Sequence, residues 1–295
     1  IRRPPRSTLD RSSAASDVYK RQLLDYTSPT VEGFTMMAWL SVDTDDTIHL
    51  PSRRGHPHRS AQSMPTWRTE GYRASPRLLN ATDRFIEWVA DGPKVTLFLI
   101  AEQLDCPEFT KRLDVLLTMP NILIACHGWG HRCWSAWPED TAGFSEMLIE
   151  ARDRISAYAE SSWRPWFRAP GGYVAPWMAG PLAAAGFRLD SSVNPSRWVN
   201  RKMGGDWTRV KDAMEESGVV ERPWLTTRMG PACGPALSLF PFSLFAKQAW
   251  KRNSVSITDE PEITASTALY WHLLDHERKQ GKWTPPLANE IECVG

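Results

Sequence analysis

Two aspartates, Asp43 and Asp45, stand two residues apart in the run Ser41-Val42-Asp43-Thr44-Asp45-Asp46. On an extended chain they project to the same side, and carboxylates so placed repel unless a cation or a proton lies between them. Further on, Cys126-His127-Gly128-Trp129-Gly130-His131 sets two histidines four apart, a spacing that meets on one face of a helical turn. Two imidazoles and one carboxylate bind a divalent metal and leave coordination positions open. Asp45, His127 and His131 are therefore a candidate three-ligand site. In Trp166-Phe167-Arg168-Ala169-Pro170-Gly171-Gly172-Tyr173, the arginine can form a bidentate pair with a carboxylate, and the Pro-Gly-Gly turn can aim backbone N–H groups at a cavity. Asp190-Ser191-Ser192 follows. Tyr270-Trp271-His272-Leu273-Leu274-Asp275-His276 then places His272 at the end of an apolar run, with His276 as its rival. Each group alone also has a bland reading: a solvated acidic turn, a chance pair of histidines, a tight turn, a core histidine. Cys126 and Cys133 raise a structural zinc site, but adjacent Cys126 and His127 point apart on a strand. His56-Pro57-His58 reads as a solvated loop in preference to an auxiliary metal site.

Position unites these groups, because each follows a short apolar run, and in α/β sheets chemistry gathers where strands end and loops begin. Residues 34–42 are nearly continuously apolar, as a strand buried on both faces requires. Ser75 and Pro76 open a helix by capping and first-turn preference, and apolar residues recur at helical spacing until Gly92. A strand over 95–100, a helix from about 107 to 118, a strand over 122–126 and a helix from about 142 to 160 follow. Then come a strand around 166–168, a helix opened by Pro176, a strand ending near Asp190, and strands at 219–221 and 268–272. This alternation predicts a parallel α/β sheet, doubly wound or closed as a barrel. Residues 194–211 and 226–259 read as long loops.

The chain has 295 residues and a formal net charge of +1, which gives no basic surplus for a nucleic-acid binder. No apolar run approaches the roughly 18 residues of a membrane span. Five cysteines in a chain this long do not make a disulfide framework. Fifteen tryptophans fit a sugar-stacking cleft, although core packing accounts for most of them. Residues 1–22 are serine-rich and basic without apolar periodicity, and resemble translated sequencing-adapter read-through. They are read as a non-native leader and set aside, leaving one catalytic domain over 23–295. No signal peptide is visible, but with the native start in question its absence decides nothing, and the compartment is left unknown, cytoplasmic only by default.

Taken in order, Asp43-x-Asp45, His127-x-x-x-His131, Arg168-x-Pro170-Gly171, Asp190-Ser191-Ser192 and His272 resemble the five motifs of the polysaccharide deacetylases, carbohydrate esterase family 4 with its NodB homology domain. The resemblance runs over about residues 34–277. It implies a distorted, incomplete (β/α) barrel that removes N- or O-acetyl groups from glycans using one divalent metal, zinc first, with cobalt, nickel or manganese able to take its place. It also implies roles: Asp43 the base; Asp45, His127 and His131 the metal ligands; Arg168 the partner of Asp43; the Gly171 N–H the oxyanion donor. His272 would be the acid, kept protonated by a nearby Asp190. Tyr173, Trp129 and Trp271 are the expected sugar contacts.

The first motif usually has adjacent aspartates, so a frame with Asp45 as base and Asp46 as ligand stays open. Gly128 stands where Ser or Thr is usual. His-x-Trp-x-His followed by Trp134 also resembles the deformylases of polyprenyl-linked amino sugars, which lack the Arg-x-Pro-Gly motif. The same residues would also suit a cyclic amide or ureide hydrolase, or a carbohydrate-binding protein without turnover.

Overall fold

Strands that lack polar alternation need cover on both faces. β1 (Met37–Asp43), β2 (Val95–Leu99) and β3 (Ile122–Cys126) are buried along almost their whole length. The cover comes from helices that follow the strands in turn: α1 (Pro76–Val89), α2 (Pro107–Leu117) and α3 (Thr141–Ala159). β4 (Trp163–Phe167), α4 (Ala179–Ala184), β5 (Leu189–Asp190), α5 (Trp207–Glu216) and β6 (Val220–Glu221) continue the alternation. Ser75 starts α1 by accepting the Leu78 N–H at 3.1 Å, and Leu78, Ala81, Phe85 and Val89 form its buried stripe. The computed structural model describes residues 37–293 other than 63 and 65. The leader expected at 1–22 and the first residues of the strand expected at 34–42 lie outside the described residues.

β7 (Thr226–Thr227) and β8 (Gly230–Pro231) pair as an antiparallel hairpin. They are followed by α6 (Phe242–Asn253), β9 (Ser256–Ile257), β10 (Ser266–His272) and β11 (Glu292–Cys293). β1 to β6 are neighbours in sequence order and all parallel. β10 pairs along the full length of β1. The sheet curls far enough that Trp224, just past β6, bridges Ala268 of β10. Seven strands around one axis, with β5 and β6 only two residues each, make a distorted (β/α) barrel that is incomplete against the usual eight.

The two stretches read as loops are only partly irregular. α5 lies at the end of the first: Asp206 accepts the Thr208 N–H, and Val210 and Met214 are its buried positions. α6 lies within the second, burying Ser243, Ala246 and Trp250. α5 is mostly polar, and in α6 the exposed Leu244 and Phe245 blur the buried stripe. The helix expected at Pro176 begins as a 3₁₀ turn (Pro176–Met178) before α4.

Since the strands are parallel, their carboxyl ends share one side. Register then decides which residues meet: Asp43 lies opposite His272 on β10 and Phe98 on β2, and the row Cys126, Phe167, Asp190, Glu221 runs across β3 to β6.

Candidate metal centre and active site

Arg168 is the hub. The β3–β4 register slips between Ile124 and Cys126, and a bulge of this kind re-aims the residue beyond it. The Arg168 N–H donates to the Cys126 carbonyl at 3.0 Å, and its wholly buried guanidinium crosses beneath the strand ends. Nη1 donates to Asp43 Oδ1 at 2.6 Å, Nη2 to Ser41 Oγ at 2.8 Å, and Nε to the Ser191 carbonyl at 2.9 Å. Phe98 lies 4.0 Å below the guanidinium carbon and Tyr270 lies 4.9 Å away. A buried charge needs this degree of pairing to be tolerated.

The Arg168 carbonyl also fixes a histidine. His127 Nδ1 lies 2.8 Å from it, so Nδ1–H is the donor and Nε2 keeps its lone pair. His127 Nε2 lies 3.5 Å from Asp45 Oδ2 and 4.0 Å from Asp43 Oδ2, and His131 Nε2 lies 2.5 Å from Asp45 Oδ1. One ligand atom from each of Asp45, His127 and His131 falls within 4.8 Å of the others, and all three residues are buried. Among the described residues, Asp45 Oδ2, His127 Nε2 and His131 Nδ1 have no hydrogen-bond partner. A buried polar atom left unpaired costs about 1–3 kcal/mol. Two of the three, Asp45 Oδ2 and His127 Nε2, lie 3.5 Å apart, with His131 Nε2 against the other Asp45 oxygen, so the residues present can hold a metal ion. Burial disfavours the Asp45 charge, yet His131 and His127 outweigh it and hold the carboxyl well below its usual range. Burial lowers His131 to about 4, which keeps it the neutral ligand form. For His127, Asp43 and Asp45 outweigh burial and raise it.

His127 and His131 do not share a helical turn, as their spacing predicted. Gly128 at φ +80° and His131 at φ +64° bend a loop that brings the rings to 5.2 Å. A left-handed backbone at a non-glycine residue is strained and persists only where its surroundings enforce it. The enforcement is visible: the Ala101 and Glu102 N–H groups take the Gly128 and Trp129 carbonyls, and Gly55 rests so close to the His131 carbonyl that a Cβ there would lie 2.3 Å from it.

His272 is half-buried, and a ring nitrogen lies within 4.8 Å of carboxylate oxygens of both Asp43 and Asp45. Gly171 sits at φ +60° in the turn closed by Gly172 and Tyr173 donating to the Ala169 and Pro170 carbonyls. Tyr173 lies against this turn.

Other expected site residues are placed elsewhere. Asp190 makes no hydrogen bond or ion pair with His272: it accepts from Ser192 N–H and Oγ and lies opposite Glu221 across the β5–β6 register. Asp46 is no spare ligand, since its carboxylate accepts from Thr47 N–H, Ser75 N–H and Oγ, and Tyr72 OH. His276 accepts from Trp271 Nε1 at 3.1 Å and packs against Phe85, Trp88 and Trp283. Burial lowers it to about 4, so it is a neutral core histidine. Trp271 is wholly buried, and Trp129 donates to the Thr69 carbonyl while Trp67, Arg68 and Arg154 pack around it. Neither indole has a face left for sugar. Cys126 and Cys133 are free buried thiols pushed up to about 12 by burial, and neither joins the metal group.

A layer behind the histidines has no motif in the sequence. Buried Glu102 takes His49 Nε2 at 2.8 Å, along with Arg54 and Thr69, and the His49 ring lies 5.7 Å from His131. His49 Nδ1 accepts the Asp46 N–H, so Nε2–H is the donor toward Glu102. Those partners outweigh burial and keep Glu102 below its usual range. Glu221, the partner of Asp190, is equally silent in the sequence.

No family model matches the chain, and no curated protein matches it by sequence. Among solved structures, one from Mycobacterium smegmatis described as a "putative polysaccharide deacetylase" superposes with TM-score 0.51 at 15% identity, covering 85% of this chain and 82% of that one. At this identity the likeness concerns the fold alone, and the barrel described above is of the same type. A 4-alpha-glucanotransferase from Thermococcus litoralis reaches TM-score 0.40 at 12% identity, over 85% of this chain and 35% of that one, too low to carry an argument. No described helix is long and apolar enough to cross a membrane.

Proposed function

We propose that the chain is a metal-dependent hydrolase that removes an N-acyl group, foremost N-acetyl, from an amino sugar in a glycan or lipid-linked saccharide. The observation that carries this reading is the buried Asp45, His127 and His131 trio, in which Asp45 Oδ2 and His127 Nε2 have no partner, beside an Asp43 carboxylate that Arg168 fixes in place. The fold likeness to the structure described as a "putative polysaccharide deacetylase" supports the substrate class.

Asp45, His127 and His131 would hold the metal, which when bound would polarise the acyl carbonyl and make an attacking water more acidic. Asp43 is the base. Arg168 occupies its Oδ1, and Oδ2 faces the trio to take the proton of the water. The Gly171 N–H donates to the acyl oxygen as negative charge develops on it. His272 then gives its proton to the amide nitrogen as the C–N bond breaks, so the sugar leaves as a neutral amine and the acyl group as a carboxylic acid. The nearness of His272 to Asp43 and Asp45 favours turnover over binding without catalysis.

The test is acetate release from N-acetylglucosamine oligomers, with formate release from N-formylated sugars and ring opening of cyclic ureides run in parallel. Acetate release that falls about 10²- to 10⁴-fold in Asp43→Asn and in His272→Gln supports the reading. Acetate release unchanged in both variants, or ureide opening as the dominant activity, contradicts it.

A further inference from the structure

Beside the Gly171 turn stands a group of cationic side chains that the hydrolysis does not use. Arg59 Nη1 donates to Tyr173 OH at 3.1 Å. Lys202 Nζ donates to the Gly171 carbonyl at 2.8 Å and lies 5.0 Å from the centre of the Tyr173 ring. The His56 ring meets the Tyr173 ring edge-on at 5.2 Å, with His58 next to it at 6.3 Å. His56 Nδ1 accepts the His58 N–H, so its Nε2–H remains a donor. Neither Arg59 nor Lys202 forms an ion pair with a described residue, in contrast to Arg54, Arg68, Arg84, Arg112 and Arg168.

Like charges gathered without an acid repel one another. Here they are held together by Tyr173 OH and a backbone carbonyl, neither of which neutralises them. Lys202 has given up much of its hydration, and burial is the main cause lowering its ammonium, with Arg59 adding to it. An anion arriving among Arg59, Lys202 and His56 would receive several charge-assisted hydrogen bonds and relieve the repulsion. The group is tied to the chemistry through one residue: the Gly171 carbonyl takes Lys202, while its N–H is the proposed donor to the acyl oxygen. A Cβ at Gly171 would touch the Tyr173 ring at 3.3 Å, so phenol and turn are in contact.

We infer that Arg59, Lys202, His56 and Tyr173 form an anion-binding subsite, and that the amino sugar carries a negatively charged group, a carboxylate or a phosphate, close to its acylated nitrogen. This deepens the proposed function and rests on it for the place of the acyl group. The subsite itself requires only the cationic group.

The test compares binding of N-acetylglucosamine, N-acetylglucosamine 1-phosphate and N-acetylmuramic acid, by calorimetry at fixed ionic strength, to the wild type, Arg59→Gln, Lys202→Met and Arg59→Lys. At least one anionic sugar is expected to bind about tenfold or more tightly than the neutral one. That preference should fall to within about twofold in Arg59→Gln and Lys202→Met, return in Arg59→Lys, and shrink with added salt. Which anionic sugar gains more tells phosphate from carboxylate. Thermal melts of each variant confirm folding. Asp45→Asn separates the two readings: an anion preference that survives in it, without acetate release from any sugar by the wild type, upholds the subsite and removes the hydrolase. Equal affinity for neutral and anionic sugars, or a preference that persists in the Arg59→Gln/Lys202→Met double variant, overturns the subsite even where acetate is released.

Discussion

Asp43 and Asp45 belong to the end of β1, and Asp190 and Glu221 to the ends of β5 and β6; all four are buried on the same side of the barrel. Their surroundings differ in one respect. Around the first pair stand Arg168, His127 and His131, which hold Asp45 well below its usual range against the cost of burial. Around the second pair the hydrogen-bond donors are Ser192 and the Val193 N–H, and Arg168 spends its N–H groups on Asp43, Ser41 and Ser191. Burial therefore raises Asp190, and burial together with the charge of Asp190 pushes Glu221 well above its usual range, outweighing what Arg168 and Arg222 offset. Two carboxyls in such a place retain a proton between them. Strand-end position makes an acid available, but only cationic neighbours make it a ligand or a base.

The most severe way to break this contrast is Arg168→Met, which leaves the Asp43 charge buried and unpaired. A loss of about 3–5 kcal/mol in unfolding free energy is expected from urea titration, together with loss of turnover. A loss under about 1 kcal/mol would mean that Asp43 holds no buried charge in the fold.

Asp46 shows a third solution, a carboxylate kept charged by neutral donors alone. The bonds to Thr47, Ser75 and Tyr72 outweigh the burial that would raise it. Asp46→Ala removes them and the capping of the turn at 47–49, and should cost about 2 kcal/mol. Metal affinity should stay within about threefold of wild type, whereas the frame that makes Asp46 a ligand requires its loss.

Glu221→Gln is expected to have the smallest effect, under about 1 kcal/mol at pH 5, because a protonated carboxyl and an amide are near-isosteres. The pH dependence carries the information. A folded-state value above the ordinary 4.5 gives stability that is full below that value and is lost as pH rises through the raised one. The variant lacks this loss, so its urea midpoint should gain on the wild type from pH 5 to pH 8. Asp45 runs the other way, since its contribution is present above the ordinary 3.8 and is lost as pH falls. Parallel pH profiles for Glu221→Gln and wild type would remove the contrast between the pairs.

These contrasts mark how far the sequence can be read. Buried parallel strands advertise themselves through unbroken apolar runs, and the residues just beyond them, Asp43, His127, Arg168 and His272, are legible for that reason. Which strand end faces which is not legible, and the sequence accordingly suggests for Asp190 a partner across the barrel that it does not meet. α5 escapes a pattern reading because only Val210 and Met214 mark its buried face, and α6 because Leu244 and Phe245 stand exposed while Ser243 is buried. The loop from His127 to His131 shows a four-residue spacing met by two left-handed residues instead of a helix. Glu102, His49 and Glu221 act through contacts that no local pattern encodes. Trp129 and Trp271 pass for sugar contacts because indoles in cores and clefts look alike in sequence.

The most direct measurement is a calorimetric titration of zinc into the metal-free protein, alongside Asp45→Ala, His127→Ala and Asp190→Ala. The account predicts one tight equivalent for the wild type, a weakening of at least about 10²-fold in Asp45→Ala and His127→Ala, and no weakening beyond about threefold in Asp190→Ala. A wild type that binds no zinc, or that binds equally with and without Asp45 and His127, would contradict it.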